Sequence, residues 1–107
     1  MPAMSGWRGA AAAGWTHHQL AELAAEGGDT HQEKEHYAAA ARIGSDAGDH
    51  VLAGWSLFNT ARCEERAHDL RQARERYAQA KETGLRIADR WMVEQSEEGL
   101  RRLATPG

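Results

Sequence analysis

Two stretches of the chain repeat one another, and their relationship decides the fold. Residues 13–49 read AGWTHHQLAELAAEGGDTHQEKEHYAAAARIGSDAGD, and residues 53–89, 40 positions later, read AGWSLFNTARCEERAHDLRQARERYAQAKETGLRIAD. Twelve aligned positions are identical, and they include the uncommon residues Trp, Tyr and Gln. Self-similarity with a period of roughly 20–50 residues is typical of proteins built from stacked copies of one unit.

Each copy is predicted to fold as two helices. Gly27-Gly28 ends the first helix, and Asp29 then offers a carboxylate to the free N–H groups of the next helix, with Gln32 three positions later. Asp69 and Gln72 repeat this pattern. The predicted helices run from about Ala10 to Glu26, from Asp29 to about Ala47, from about His50 to Ala67, from about Leu70 to Ile87 and from Arg90 to about Leu103.

The composition is that of an all-helical chain with a thin core. Leu, Ile, Val and Phe make up only about 12 % of the residues, whereas alanine, the best helix former, is abundant. Within the first helix, Leu20, Leu23, Ala24 and Gly27 are predicted to form the buried stripe. Gly44 and Gly84 lie inside helices, so we expect close backbone packing at both positions.

These features together resemble the tetratricopeptide repeat, whose unit is a helix hairpin with a Gly-Asp turn. The residues that carry the resemblance are Leu20, Ala21, Ala24, Gly28-Asp29, Tyr37 and Ala40 in the first copy and Leu57, Ala61, Asp69, Ala73, Tyr77 and Ala80 in the second. Thr60, Glu64 and Lys81 occupy positions that are usually apolar in the family. The longer period is similar to variant repeats in sensor domains of bacterial signal-transduction ATPases and transcriptional activators.

The resemblance implies an all-α, TPR-like α-solenoid of two helix-hairpin repeats and a C-terminal capping helix. We expect a flexible N-terminal tail over residues 1–9, a single domain over 10–104 and a short tail over 105–107. Within the domain, repeat 1 covers about 10–48, repeat 2 about 49–88 and the capping helix about 89–104. Arg101 stands where the repeats have Ala21 and Ala61, which favours a cap; a chain cut from a longer array is the alternative.

In this family the first helices of the repeats line a concave surface, and the resemblance therefore implies a ligand groove. The residues that would point into it are Trp15, His18, Gln19 and Glu22 of the first copy and Trp55, Phe58, Asn59, Arg62 and Arg66 of the second. Large aromatic side chains carry much of the binding energy in protein contacts. The alternative is that both tryptophans only fill the seam between helices.

Other chemistries find little support in the sequence. No phosphate-binding loop or nucleophile elbow is present, so we expect no enzyme and no cofactor. The single cysteine, Cys63, is predicted to be a buried structural thiol. The six histidines are expected to be solvated rather than metal ligands, because a zinc site needs about four converging groups. With 13 Lys and Arg against 16 Asp and Glu, nucleic-acid binding through bulk charge is not expected.

The sequence therefore predicts a binding protein of the cytoplasm, since the longest apolar run is too short for a membrane span and no secretory signal is apparent. The expected partner is a protein or peptide held on the concave face. Self-association as a homodimer is the main alternative, because an incomplete solenoid leaves apolar surface uncovered. A regulatory sensor module is a third hypothesis, and the family likeness alone supports it.

Overall fold

The computed structural model describes the backbone of residues 2–104 and the side chains of residues 9 and 11–104. This part of the chain holds five helices and no strand: α1 (Pro2–Glu26), α2 (Thr30–Ala47), α3 (His50–Arg66), α4 (Leu70–Arg86) and α5 (Arg90–Ala104). The all-helical prediction is confirmed. The expected C-terminal tail, 105–107, lies outside the described residues.

The helix α1 begins at Pro2, well before its predicted start near Ala10, and so covers residues 2–9 that were expected to form a tail. Proline is tolerated in the first turn of a helix, where its missing N–H would have no partner. No strong helix-breaking sequence then follows until Gly27-Gly28. The other helix ends differ from the predicted ones by a residue or so.

All four turns are built the same way. The aspartate of each turn is preceded by a residue in the left-handed backbone conformation. These residues are Gly28, Gly48, His68 and Ala88. The backbone N–H of that aspartate donates back to the preceding helix, as from Asp49 to the carbonyl of Gly44 at 2.8 Å. The carboxylates of Asp29, Asp49 and Asp89 then accept an N–H from the next helix, which confirms the Asp29–Gln32 cap. Asp69 occupies the same position but makes no side-chain capping bond.

Consecutive helices pack on one another, and α3 also meets both α1 and α5, so the odd-numbered helices lie side by side. The core between them is built of small residues. Ala21, Ala40, Ala61, Ala73 and Ala80 are fully buried. Their small side chains let the helix backbones approach closely, which compensates for the scarcity of large apolar residues.

Gly44 and Gly84 pack closely, as predicted. A Cβ at Gly44 would lie 2.9 Å from the backbone nitrogen of Ala53, and one at Gly84 would lie 3.2 Å from that of Val93. Gly99 of α5 is packed still more tightly, because a Cβ there would lie 2.7 Å from the ring of Tyr77.

The predicted leucine stripe of α1 is wrong. Leu20 and Leu23 are exposed, and the buried positions of α1 are Gly14 and Ala21. The residue of the second repeat that is equivalent to Leu23 is Cys63, which is buried in a cluster with Tyr37 of α2. In α3 this face packs against α2, whereas no described helix covers the corresponding face of α1.

A buried carboxylate lies between the even-numbered helices. Glu64 of α3 is 1 % exposed, and its oxygens lie 3.7 Å from Lys34 Nζ and 3.9 Å from Arg76 Nε. Neither oxygen accepts a hydrogen bond within the described part of the chain. Burial raises the pKa of Glu64, and the two cations oppose this effect.

Candidate functional site: a groove between α3 and α5

A cavity of about 510 Å³ lies between α3 and α5. Its lining residues are Trp55, Phe58, Asn59 and Arg62 of α3 and Trp91, Gln95 and Arg102 of α5. The α3 residues follow the i, i+3, i+4, i+7 spacing that places side chains on one face of a helix. The side-by-side packing of α3 and α5 brings the two sets together.

One part of the groove is aromatic. The rings of Trp55 and Phe58 meet edge to face with centroids 5.7 Å apart, and Phe58 contacts the buried ring of Tyr77 at the same distance. Trp91 stands opposite on α5 and is 61 % exposed. Trp55 is half-buried and lines the cavity.

The rest of the groove is polar and cationic. Asn59 and Gln95 supply amides, which can donate to and accept from a peptide backbone. Arg62 makes no hydrogen bond or ion pair with any side chain that the structure describes, although its charge helps to lower the pKa of Glu65 nearby. Its guanidinium N–H groups can donate to an anionic group of a ligand. The arrangement therefore suits a ligand with an apolar side chain and a nearby carboxylate.

A hydrogen-bonded cluster fixes α5 beside the groove. Arg102 donates to both carboxylate oxygens of Glu65, at 3.1 and 3.0 Å, and the Tyr77 hydroxyl donates to the same carboxylate at 2.7 Å. The hydrogen bond from Arg102 holds the pKa of Glu65 below its ordinary value of 4.5. Burial, with Glu65 beside it, raises the pKa of Tyr77, so the hydroxyl stays protonated and continues to donate.

A smaller cavity of about 280 Å³ continues the groove. It is lined by Arg62, Glu65, Arg66, Tyr77 and Arg102. Arg66 is engaged there already, because it donates to Glu33 of α2 at 2.8 Å and to the Cys63 sulfur at 3.3 Å. Burial raises the pKa of the Cys63 thiol to about 11, which agrees with the structural thiol expected from the sequence.

The candidate residues of α1 lie elsewhere. Trp15 is 42 % exposed, and its indole N–H donates to Asp49 at the start of α3 at 2.9 Å. His18 lies 3.5 Å from Glu22, and its ring packs edge-on against Tyr37 of α2. Gln19 is exposed. The structure therefore unites Trp55, Phe58, Asn59 and Arg62 with α5, and the α1 candidates line neither of these two cavities.

Three lining residues, Trp91, Gln95 and Arg102, were absent from the predicted site. The alignment that sets Arg101 against Ala21 and Ala61 also aligns Gln95 with Trp55 and Arg102 with Arg62, so extending the predicted site to α5 would have found two of them. Trp91 aligns with Val51, and no repeat signal points to it.

Another cavity, of about 470 Å³, lies between α2 and α4 with α3 as its floor. Arg42, Arg76 and Arg86 stand at its rims, and Leu57 is its largest apolar side chain. Among the described residues, no three His, Cys, Asp or Glu side chains converge as a metal cluster. No helix in this part of the chain is both long and apolar enough to cross a bilayer.

No protein-family model, curated protein or solved structure matches the chain.

Proposed function

We propose that the chain is a TPR-like helical solenoid that binds a protein or peptide in the groove between α3 and α5. The observation that carries the proposal is the cavity itself, where Trp55, Phe58 and Trp91 lie beside two amides and an arginine that makes no hydrogen bond among the described side chains. Concave sites lined by aromatic residues with a few polar groups are the usual form of a binding site. In this proposal α5 has two roles, as the cap of the solenoid and as one wall of the groove.

The groove defines the chemistry of its ligand. A large apolar side chain packs between Trp55 and Trp91, where burial of aromatic surface supplies most of the binding energy. Asn59 and Gln95 hydrogen-bond to the ligand backbone, and Arg62 meets a carboxylate. The site binds rather than catalyses in this proposal, and it acts in the cytoplasm with no cofactor.

The proposal can be tested with peptides selected on the folded chain from a random phage-displayed library. Affinities of the selected peptides are then measured for the wild type and for Trp55→Ala, Trp91→Ala and Trp15→Ala. Trp15 is a matched control, because it has the same register in its repeat as Trp55 but lies outside the cavity. Circular dichroism confirms that each variant is folded.

We expect Trp55→Ala and Trp91→Ala each to weaken binding by roughly 30-fold or more, the loss typical of a buried aromatic anchor. Trp15→Ala should bind as the wild type does. Selected peptides should also share an apolar residue followed or preceded by an acidic one. Equal affinity of Trp55→Ala, Trp91→Ala and wild type would refute the groove.

A second candidate function, homodimerisation, is favoured by the open face of α1. Leu23 is 62 % exposed and Leu20 lies beside it on the same face. A second copy that packed on this face would bury both leucines. Sedimentation at several concentrations tests this, with Leu23→Glu as the disrupting variant and Leu85→Glu of α4, also 62 % exposed, as the control. A wild type that stays monomeric at high concentration would rule the dimer out.

A further inference from the structure

The cavity between α2 and α4 is a second concave site, separate from the groove. Its volume of about 470 Å³ lies in the range of pockets that hold small molecules. Ala53, Leu57 and Thr60 of α3 form its floor. With about 100° of turn per residue, these residues lie on the face of α3 opposite Trp55 and Phe58. The two sites therefore use opposite faces of one helix.

Arginines stand on both walls of this cavity. Arg42 of α2 and Arg86 of α4 line the same space. Short turns join each helix to the next, so the last residues of α2 and of α4 lie beside the first residues of α3. Glu82 is the one acidic side chain among the described lining residues, so positive charge prevails at this end of the cavity.

Both arginines can donate hydrogen bonds to a ligand. Arg42 makes no hydrogen bond or ion pair with any side chain in the described part of the chain. Arg86 lies 3.3 Å from Glu82, but both side chains are more than half exposed, and such a pair contributes little to stability. Arg86 can therefore turn from Glu82 to a ligand at little cost.

The third arginine, Arg76, is engaged at the other end of the cavity. Its Nε lies 3.9 Å from the carboxylate of the buried Glu64, which balances its charge. Between the two ends the lining is apolar or neutral, with Leu57 and Gln79 facing the space. The end that holds Arg42 and Arg86 is therefore the part of the cavity that suits an anion.

We propose that this end of the cavity binds the phosphate group of a small phosphomonoester. Such a group has three terminal oxygens and a charge between −1.5 and −2 at about pH 7, which matches two guanidinium groups reaching it from opposite walls. A carboxylate has two oxygens and a single charge, which one arginine satisfies. Ser45 and His50 line the same end and offer further hydrogen-bond donors to the phosphate oxygens.

The floor of the cavity fits the organic part of the ligand. Ala53 and Leu57 are four residues apart, which is about 6 Å along α3 and comparable to the length of one ring. Ala38 and Ala41 of α2 line the side of this space. An apolar ring attached to the phosphate lies against these side chains, where burial of its surface adds to the binding energy.

The test measures binding of phenyl phosphate by calorimetry at neutral pH. Arg42→Gln and Arg86→Gln each remove one guanidinium, and Arg74→Gln is the matched control, since Arg74 is an exposed arginine of α4 that does not line the cavity. All three residues are exposed, and circular dichroism checks that each variant folds. We expect each site variant to bind about tenfold more weakly, the loss typical of a hydrogen bond to a charged group, and the control to bind as the wild type does.

A comparison of ligands tests each part of the proposal on the wild type. Inorganic phosphate lacks the ring and benzoate lacks the phosphate, so both should bind more weakly than phenyl phosphate. In a ¹H–¹⁵N spectrum, phenyl phosphate should shift the amide signals of Ser45 and Thr83, which line the cavity, and leave the indole signal of Trp91 in place. Added salt should weaken binding, because it screens the charges.

Four results would overturn the proposal. Phenyl phosphate may fail to bind at millimolar concentration, or Arg74→Gln may lose as much affinity as Arg42→Gln does. Benzoate or inorganic phosphate that bound as tightly as phenyl phosphate would show that the cavity does not recognise a phosphomonoester. Shifts confined to the Trp91 indole would place the ligand in the groove instead.

Discussion

Glu65→Ala is the substitution that tests most sharply how α5 is held beside α3. Glu65 accepts hydrogen bonds from Arg102 of α5 and from the hydroxyl of Tyr77 of α4, so one carboxylate connects three helices. Truncation removes this acceptor and leaves the Tyr77 hydroxyl, on a fully buried residue, without its main partner. The variant should therefore be destabilised, and the wall of the groove should loosen.

The size of the effect follows from the burial of each partner. A buried hydroxyl left without an acceptor costs about 1–3 kcal/mol. The ion pair with Arg102, whose side chain is half exposed, contributes at most about 1 kcal/mol because solvent screens it. The sum is roughly 1–4 kcal/mol, which corresponds to a fall in Tm on the order of 5–25 °C for a domain of this size.

The assay is thermal and urea unfolding of Glu65→Ala beside Glu94→Ala. Glu94 is an exposed partner of Arg90 on α5, so its loss should change stability by no more than about 0.5 kcal/mol. The lowered pKa of Glu65 also sets a pH dependence. Its stabilisation is present above the unfolded-state value of 4.5 and is lost as the pH falls below that value, so the two variants should converge in acid. A Glu65→Ala variant as stable as Glu94→Ala at neutral pH would show that the carboxylate of Glu65 does not hold α5 in place.

Three further predictions concern single residues. Glu64→Gln should stabilise the fold at neutral pH by about 1 kcal/mol, because it removes a buried charge and lets Lys34 and Arg76 return to solvent. Because the pKa of Glu64 is raised, the wild-type carboxylate becomes neutral as the pH falls, and the stability difference between the two proteins shrinks. Urea unfolding at several pH values measures this difference. His68→Gly should raise stability by roughly 0.5 kcal/mol, measured by urea unfolding, because relief of a left-handed φ of 62° outweighs the added freedom of glycine in the unfolded chain. The Cys63 thiol is buried and its pKa is raised to about 11. It should therefore react slowly with a disulfide reagent in native buffer and rapidly in urea, as followed by absorbance. Fast reaction in native buffer would contradict the buried position.

Local signals in the sequence were enough to predict most of the helices. Four Asp residues that each follow a turn divide the chain, and their positions depend only on neighbouring residues. The close packing at Gly44 and Gly84 was also predictable, because glycine inside a helix lowers stability unless a neighbour needs the space.

What the sequence did not reveal depends on which helix lies next to which. Leu20 and Leu23 have helical spacing typical of a core face, yet they are exposed because no described helix packs on that face of α1. The predicted groove joined α1 to α3, whereas the cavity lies between α3 and α5. Trp91 takes part in it from a position that no repeat marks, so only the packing of α5 shows its place.

The four tryptophan indole N–H signals report directly on whether a peptide occupies the groove between α3 and α5. Each gives one resonance in a ¹H–¹⁵N spectrum, and a selected peptide is titrated into the labelled chain. If the peptide binds in the groove, the signals of Trp55 and Trp91 shift while that of Trp15 stays in place. Shifts confined to Trp15, or to backbone amides around the α2–α4 cavity, would contradict it.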